Sequence, residues 1–175
     1  MSLMLTRLPT FAPSQTPLSG ATSTPFASLS FYNLVGSIDD SVEDGDTALH
    51  LACLYGNLSC VRRGANLEAK DEDGAIPLHD ACAGGYTEVV QLLINSANDA
   101  ERVNKMLETV DAEGNTPLHH AARGEHADII RLLLASGALP TKANLYGKIP
   151  SDLPEADTEA RRLLDAASAV ENTRR

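Results

Sequence analysis

Histidine can act as an acid, a base or a metal ligand near neutral pH, and this chain places three of its histidines in one recurring context. Each follows a leucine and stands two residues before an alanine: His50, His79 and His119. His120 and His126 flank a turn, but two histidines without a fixed third ligand are a weak zinc signal. Because the three histidines recur as part of a longer repeat, we predict a structural role for them and no metal site.

Asp80, His120 and Cys82 together carry the groups of a nucleophilic catalytic triad. Asp80 and Cys82 are two positions apart in a predicted helix, which turns them to different faces. The chain contains neither the G-x-x-x-x-G-K-[ST] nor the G-x-S-x-G motif. We therefore predict no catalytic residue, no cofactor and no enzyme. Asp80 and His120 occupy equivalent positions of neighbouring segments and are expected to form an ion pair on the surface.

The three cysteines are Cys53, Cys60 and Cys82, an odd and sparse set that favours a reducing compartment over a disulfide framework. Cys53 and Cys82 fall on neighbouring helices, whose axes pack about 8–10 Å apart. A disulfide spans at most about 7 Å between Cα atoms. We predict that all three are buried hydrophobic residues.

The elements that position these residues come from a repeat. Four segments align: DGDTALHLACLYG from Asp44, DGAIPLHDACAGG from Asp73, EGNTPLHHAARGE from Glu113 and YGKIPSDLPEADT from Tyr146. The equivalent residues Thr47, Ile76, Thr116 and Ile149 are 29, 40 and 33 residues apart. Repetition at this length is the sequence signature of a solenoid.

Each segment predicts a helix, a reversal, a second helix and an extended turn. Pro77, Pro117 and Pro150 stand where a helix begins and a missing N–H has no cost. The hydroxyls of Thr47 and Thr116 are expected to cap the helices that follow them. A glycine ends the first helix at Gly56 and Gly85, and an apolar second helix follows. Aromatic residues make up only 4% of the chain and Trp is absent, so the core must be aliphatic and rich in alanine.

The pattern D-x-x-G-x-T-P-L-H-x-A-A-x-x-G, followed by an apolar helix and Gly-Ala, resembles the ankyrin repeat over residues 43–153. The resemblance implies an all-α solenoid of helix pairs joined by finger loops, with each histidine bonded to the backbone of the neighbouring finger. The predicted organisation is a disordered tail at 1–30, an edge-covering segment at 31–42, repeats at 43–70, 71–110 and 111–143, a degenerate capping repeat at 144–169, and a tail at 170–175.

The repeats depart from the pattern in several places. The first is four residues short after Val61, which predicts that it is the least stable. The second carries extra residues at 98–110, predicted as a short helix with Asn98 and Glu101 as its capping box. In the third, Glu125 stands where the turn glycine is expected, which predicts slight strain. An apolar stripe within Asp157–Ala169 predicts the terminal capping helix.

The net charge of −10 disfavours nucleic acids and anionic membrane surfaces as partners. No run of about 18 apolar residues predicts a membrane span. Residues 1–30 are rich in Ser, Thr and Pro and contain no acidic residue, which is typical of a disordered tail or of an organellar transit peptide. The expected location is the cytoplasm or nucleus, or a plastid or mitochondrion if residues 1–30 are a transit peptide.

The resemblance implies that a partner protein contacts the finger tips and the inner helices. The corresponding positions are Glu43, Asp44, Asp46, Leu54, Tyr55, Lys70, Glu72, Asp73, Ala75, Ala83, Glu113, Asn115, Arg123, Tyr146 and Lys148. We expect a monomer that acts as an adaptor, scaffold or inhibitor and holds a basic segment of another protein, with Tyr55 and Tyr146 as anchors. The alternatives are a plain solvated acidic face, an imported organellar chaperone or targeting factor, a structural linker and, least favoured, an enzyme.

Overall fold

The computed structural model describes residues 46–58 and 65–173. In that part of the chain it gives the bounds of seven α-helices and one 3-10 turn, with no β-strand, and the predicted all-α fold is confirmed. The elements are α1 (Ala48–Leu54), α2 (Pro77–Gly84), α3 (Thr87–Ser96), α4 (Ala100–Glu108), α5 (Pro117–Arg123), α6 (Ala127–Ala135), the 3-10 turn η1 (Pro150–Asp152) and α7 (Glu159–Thr173). The expectations for the segments 1–30 and 31–42, for Glu43, Asp44 and Cys60, and for the shortening after Val61 lie outside the described residues.

The first helix of each unit begins as the sequence predicts. Pro77, Pro117 and Pro150 occupy the start of α2, α5 and η1, where a helical N–H has no partner to lose. Thr47 and Thr116 are the N-cap residues, as predicted, and stand in extended conformation with a capping box to the histidine three residues on. Their hydroxyls lie 3.0 and 2.8 Å from Nδ1 of His50 and His119, and the same nitrogen accepts from the threonine N–H.

The reversal between the two helices of a unit needs a left-handed residue. Gly85 ends α2 with φ of 80°, a conformation that glycine adopts without steric cost. In the third unit Glu125 takes that place with φ of 56°, which is the strained position the sequence predicts. Gly124 precedes it because a Cβ there would lie 2.5 Å from Nε2 of His126. The Glu125 carboxylate also accepts a hydrogen bond from the N–H of Glu155 at 2.8 Å, which offsets part of the strain.

The units stack side by side in two rows of helices. The inner row is α1, α2, α5 and η1, each packed on the next, and the outer row is α3, α6 and α7. The core between the rows is aliphatic and small, as predicted, and no aromatic side chain is among the buried hydrophobic residues of the described segments. Leu49, Leu78 and Leu118 repeat at one buried position of the inner row. Because each helix pair buries one face on its neighbour, the fold depends on the units being together.

Helix α4 lies in the segment 98–110, which interrupts the repeat. Asp99 is its N-cap, and the Asp99 carboxylate accepts from the N–H of Arg102 at 2.7 Å. The predicted capping box of Asn98 and Glu101 is therefore wrong by one residue, because Asn98 is in the left-handed region with φ of 62°. The buried residues Met106 and Leu107 fasten the helix to the core.

The last unit is reduced, as the loss of the sequence pattern predicts. Its inner helix is only the single turn η1, and its outer helix α7 buries Ala160 and Leu164. Helix α7 continues to Thr173, past residue 169 where the capping repeat was expected to end. The polar face of α7 closes the stack at this end.

Candidate functional site

Three finger hairpins project between the helix pairs, and each is closed by the same bonds. We define finger 1 as residues 71–75, finger 2 as 111–115 and finger 3 as 144–148. In finger 1 the N–H of Asp71 donates to the carbonyl of Ala75 at 3.1 Å, and the Asp71 carboxylate accepts from the N–H of Ala75 at 2.8 Å. Asp111 and Asn144 make the equivalent bonds in fingers 2 and 3. These side chains fix the shape of each finger and leave the residues at its tip exposed.

Backbone hydrogen bonds join the finger tips into one row. The N–H of Ala112 donates to the carbonyl of Asp73 at 2.7 Å, and the N–H of Leu145 donates to the carbonyl of Glu113 at 3.0 Å. The tip pairs are therefore in register: Glu72 and Asp73 on finger 1, Ala112 and Glu113 on finger 2, Leu145 and Tyr146 on finger 3. We call these six exposed residues the tip row.

The recurring histidines join each inner helix to the finger that follows it. Nδ1 of His79 accepts from the N–H of Ile76 at 3.0 Å, and Nε2 lies 3.2 Å from the carbonyl oxygen of Asn115 on finger 2. His50 makes the same two contacts with Thr47 and with the carbonyl of Ala75, and His119 makes them with Thr116 and the carbonyl of Lys148. The prediction that the histidines bond the neighbouring finger backbone is confirmed.

This bonding fixes the form of the imidazoles. Because Nδ1 accepts from a backbone N–H, the ring proton must sit on Nε2, which donates to the finger carbonyl. Burial, then the nearby His120, lowers the pKa of His79 to about 4, so this ring is neutral at pH 7. Both ring nitrogens are thus used by the fold. Among the described residues, no three His, Cys, Asp or Glu side chains are arranged to hold a metal ion.

Asp80 and His120 do not form the predicted ion pair. Nε2 of His120 lies 2.9 Å from Oδ2 of Asp111, at the base of finger 2. Oδ2 of Asp80 is buried without a hydrogen-bond partner. Asp111, at the base of finger 2, thus takes the place predicted for Asp80 as the partner of His120. This leaves the Asp80 carboxyl unpaired on the inner row.

The surroundings of Asp80 are also acidic. Burial raises the pKa of Asp80 to about 8, and the charges of Asp46 and Asp71 raise it further. A charged carboxylate without a cation is therefore unfavourable in the free chain. The nearby thiol of Cys82 is fully buried, and burial raises its pKa, which opposes formation of a nucleophilic thiolate. Cys53 and Cys82 are both buried, as predicted.

The structure sorts the predicted partner-contact residues by exposure. The exposed ones are Leu54, Tyr55, Lys70, Glu72, Asp73, Ala83, Glu113, Arg123, Tyr146 and Lys148, and Asp46 is half-buried. Arg123 also lies 3.7 Å from Glu113 as an ion pair. Of the others, Glu43 and Asp44 lie outside the described residues, and Ala75 and Asn115 are buried. Ala75 is buried because its backbone closes finger 1, and Asn115 is buried because its amide bonds to Asp111 and Asn144.

Two features of this face were missing from the predicted set. Leu145 is 76% exposed and stands beside Tyr146, which is 68% exposed. The register of the repeat could have identified Leu145, since it aligns with Glu72. Asp80 could not have been recognised as unpaired, because that depends on where His120 finds its partner.

None of the helices in the described part of the chain has both the length and the apolar character of a membrane span.

Comparison with known proteins agrees with this architecture. A family model described as ankyrin repeats (3 copies) matches residues 30–104 and 63–144, together more than half of the chain. Protein phosphatase 1 regulatory subunit 27 of Mus musculus is 40% identical over 72 residues, which are 39% of this chain and 47% of that protein. Rabankyrin-5 of Mus musculus is 36% identical over 67 residues, 36% of this chain and 6% of its own length. Protein phosphatase 1 regulatory subunit 12A of Mus musculus is 39% identical over 77 residues, 41% of this chain and 8% of its own length.

The matched segments thus span less than half of these relatives. Repeats of this kind together with relatives named regulatory subunits support a role in protein interaction. Because this family model matches more than half of the chain, the chain belongs to the ankyrin repeat family.

Proposed function

We propose that this chain is an adaptor that holds a basic segment of a partner protein across its fingers and inner helices. The observation that carries this proposal is the unpaired Asp80 beside Asp46 and Asp71. Buried acids normally have a compensating cation or hydrogen-bond donor. A lysine or arginine of a partner would supply one, and it would stabilise the ionised form of Asp80 that the free chain disfavours.

The exposed charges on the same face support this choice of partner. Glu72 and Asp73 lie at the tip of finger 1, and both are exposed. Complementary charge raises the rate of association and selects among partners more than it raises affinity. Tyr55 and Tyr146 are exposed aromatic residues of the kind that anchor interfaces. The proposed contact is therefore an electrostatic one near finger 1, with Tyr146 on finger 3 and Tyr55 at the end of α1 as candidate anchors.

A direct test is affinity capture on the full chain with its charges reversed in one place. Glu72→Lys with Asp73→Lys should release the captured partner, since it reverses both charges of finger 1. A matched control is Glu88→Lys with Glu101→Lys, which makes the same change in net charge on exposed positions of α3 and α4. Equal capture by both double variants would overturn the proposal.

Two of the relatives carry names that suggest a first partner to test. Protein phosphatase 1 regulatory subunits 27 and 12A match this chain over 72 and 77 residues. We propose protein phosphatase 1 as the first candidate partner. Rabankyrin-5, which does not carry the phosphatase name, has a similar identity of 36%, so sequence similarity alone does not select this partner. Purified phosphatase 1 should bind the native chain in a pull-down and lose binding with the finger 1 double variant. No binding would exclude this partner and leave the basic-segment proposal to the capture experiment.

A further inference from the structure

The tip row changes in character from one end to the other. Finger 1 presents two acids, Glu72 and Asp73; finger 2 presents one acid, Glu113, beside Ala112; and finger 3 presents Leu145 and Tyr146 with no acid at its tip. The two backbone bonds between fingers hold these pairs in order. A partner that lies along the row therefore meets negative charge at one end and an apolar surface at the other.

The apolar end is exposed to an unusual degree. Leu145 and Tyr146 are 76% and 68% exposed, the two highest values among the large exposed hydrophobic residues of the described segments. The fold does not need these side chains, because finger 3 is closed by Asn144, whose amide oxygen accepts from the N–H groups of Tyr146 and Lys148 at 3.0 Å each. The neighbouring Lys148 is exposed, so this end does not attract a cation.

We infer that the tip row reads a two-part segment of the partner: cationic side chains over finger 1 and an apolar side chain on Leu145 and Tyr146. The inference rests on the proposed function and adds to it the order and spacing of the partner's residues. Charge complementarity sets the direction, since a cation placed over finger 3 would meet Lys148 instead of an acid. Tyrosine is a frequent anchor for an apolar partner residue.

The fold also sets the spacing. Neighbouring inner helices pack about 10 Å apart, so two steps along the row cover about 20 Å. An extended chain covers about 3.3 Å per residue. The cationic and apolar parts of the partner segment should thus be about six residues apart, and a partner helix, at 1.5 Å per residue, would need about thirteen.

The experiment is selection of a random peptide display library on the full chain, repeated on two variants. Selection on the native chain should enrich Lys or Arg about six positions from a large apolar residue. Leu145→Ser with Tyr146→Ser should remove the apolar preference and keep the basic one, and Glu72→Lys with Asp73→Lys should do the reverse. Val170→Ser, at an exposed apolar position of α7 off the tip row, is the control and should change neither preference.

The outcomes separate this inference from the proposed function. A basic preference that needs finger 1 but ignores Leu145 and Tyr146 would overturn the inference and leave the proposed function standing. No basic preference on the native chain would contradict both. The alternative is that a second copy of the chain covers this surface, and sedimentation of the native chain and of the Leu145 and Tyr146 double variant tests it. A dimer that is lost in the variant would show that a second copy binds here, and the inference would be wrong. Unchanged melting temperatures establish that the variants are folded.

Discussion

Asp80 is held in a setting that favours its protonated form. Its pKa rises from about 3.8 to about 8, first through burial and then through Asp46 and Asp71. Between these two pH values the folded chain keeps a proton that the unfolded chain has lost. The contribution to stability is therefore complete below pH 3.8 and is lost as the pH rises through 8.

Replacing Asp80 with asparagine should make stability less sensitive to alkaline pH. Asp80→Asn is expected to raise the melting temperature at pH 9, where the native carboxylate is charged and unpaired, and to have little effect at pH 4. Thermal unfolding followed by circular dichroism at both pH values measures the difference. Asp73→Asn, at an exposed tip residue, is the control and should show no such dependence. An equal shift at both pH values would contradict the unpaired charge.

His79 has the opposite dependence on pH. Its pKa falls from 6.5 to about 4 in the folded chain, mainly through burial, so stability is present above pH 6.5 and is lost as the pH falls through 4. Glutamine at this position can still accept from the N–H of Ile76. His79→Gln should lower the melting temperature at pH 7, and the gap to the native chain should narrow by pH 4.5. A gap that stays constant with pH would mean that His79 does not stay neutral.

At the scale of elements, α4 bonds to loops of the two units on either side of its own. Glu68, in the loop before finger 1, pairs with Arg102 at 2.9 Å and with Lys105, and the hydrogen bond from Lys105 is the largest cause that lowers the pKa of Glu68. On the other side, Nζ of Lys142 donates to the carbonyl of Glu108 at 2.7 Å. The inserted helix is therefore held to the loops before and after its own unit.

Glu68→Gln should loosen α4 without unfolding the stack. Amide hydrogen exchange is expected to become faster in residues 100–108, because both cations lose their carboxylate, while exchange in α5 and α6 stays as it was. The melting temperature should change little, since ion pairs at the surface contribute little to stability, and Glu68 and Arg102 are only partly buried. Glu88→Gln on α3 is the matched control. Unaltered exchange in α4 would show that Met106 and Leu107 alone hold the helix.

Helix ends could be predicted from the sequence where the sterics of a single residue set them. They were predicted less well where two adjacent residues could play the same role. Pro117 at the start of α5 and Gly85 at the end of α2 follow from backbone sterics that act within a few residues. The cap of α4 moved from Asn98 to Asp99 because both side chains can cap, and only the chain path chooses between them. The pairing of His120 with Asp111 instead of Asp80 depends on the position of finger 2, which no local spacing reveals.

For the whole molecule, the stacked architecture predicts that the effect of a core substitution on stability depends on its position along the stack. Leu93 on α3 and Leu164 on α7 are both fully buried, but α3 lies inside the described stack and α7 at its end. Leu→Ala in a core costs about 2–5 kcal/mol. A core substitution in an internal unit weakens the packing of the units on both sides, whereas one in the last unit destabilises only that unit.

Leu93→Ala should thus lower the stability of the entire described stack, seen as faster hydrogen exchange in α2, α3, α5 and α6 together. Leu164→Ala should speed exchange in α7 and leave α2 and α3 protected. Exchange measured by mass spectrometry on the native chain and the two variants distinguishes them. If both variants raised exchange uniformly, the chain would unfold as one unit and not repeat by repeat.

The histidine contacts between units have a consequence for how such a chain can diverge. Each imidazole bonds to a main-chain oxygen, and the residues that own those oxygens are Ala75, Asn115 and Lys148, three unlike side chains. These hydrogen bonds between units therefore do not depend on which side chains the loops carry. Substitutions can change the exposed side chains of one loop after another, or a whole unit can be duplicated, while the histidine–backbone hydrogen bonds between units are kept.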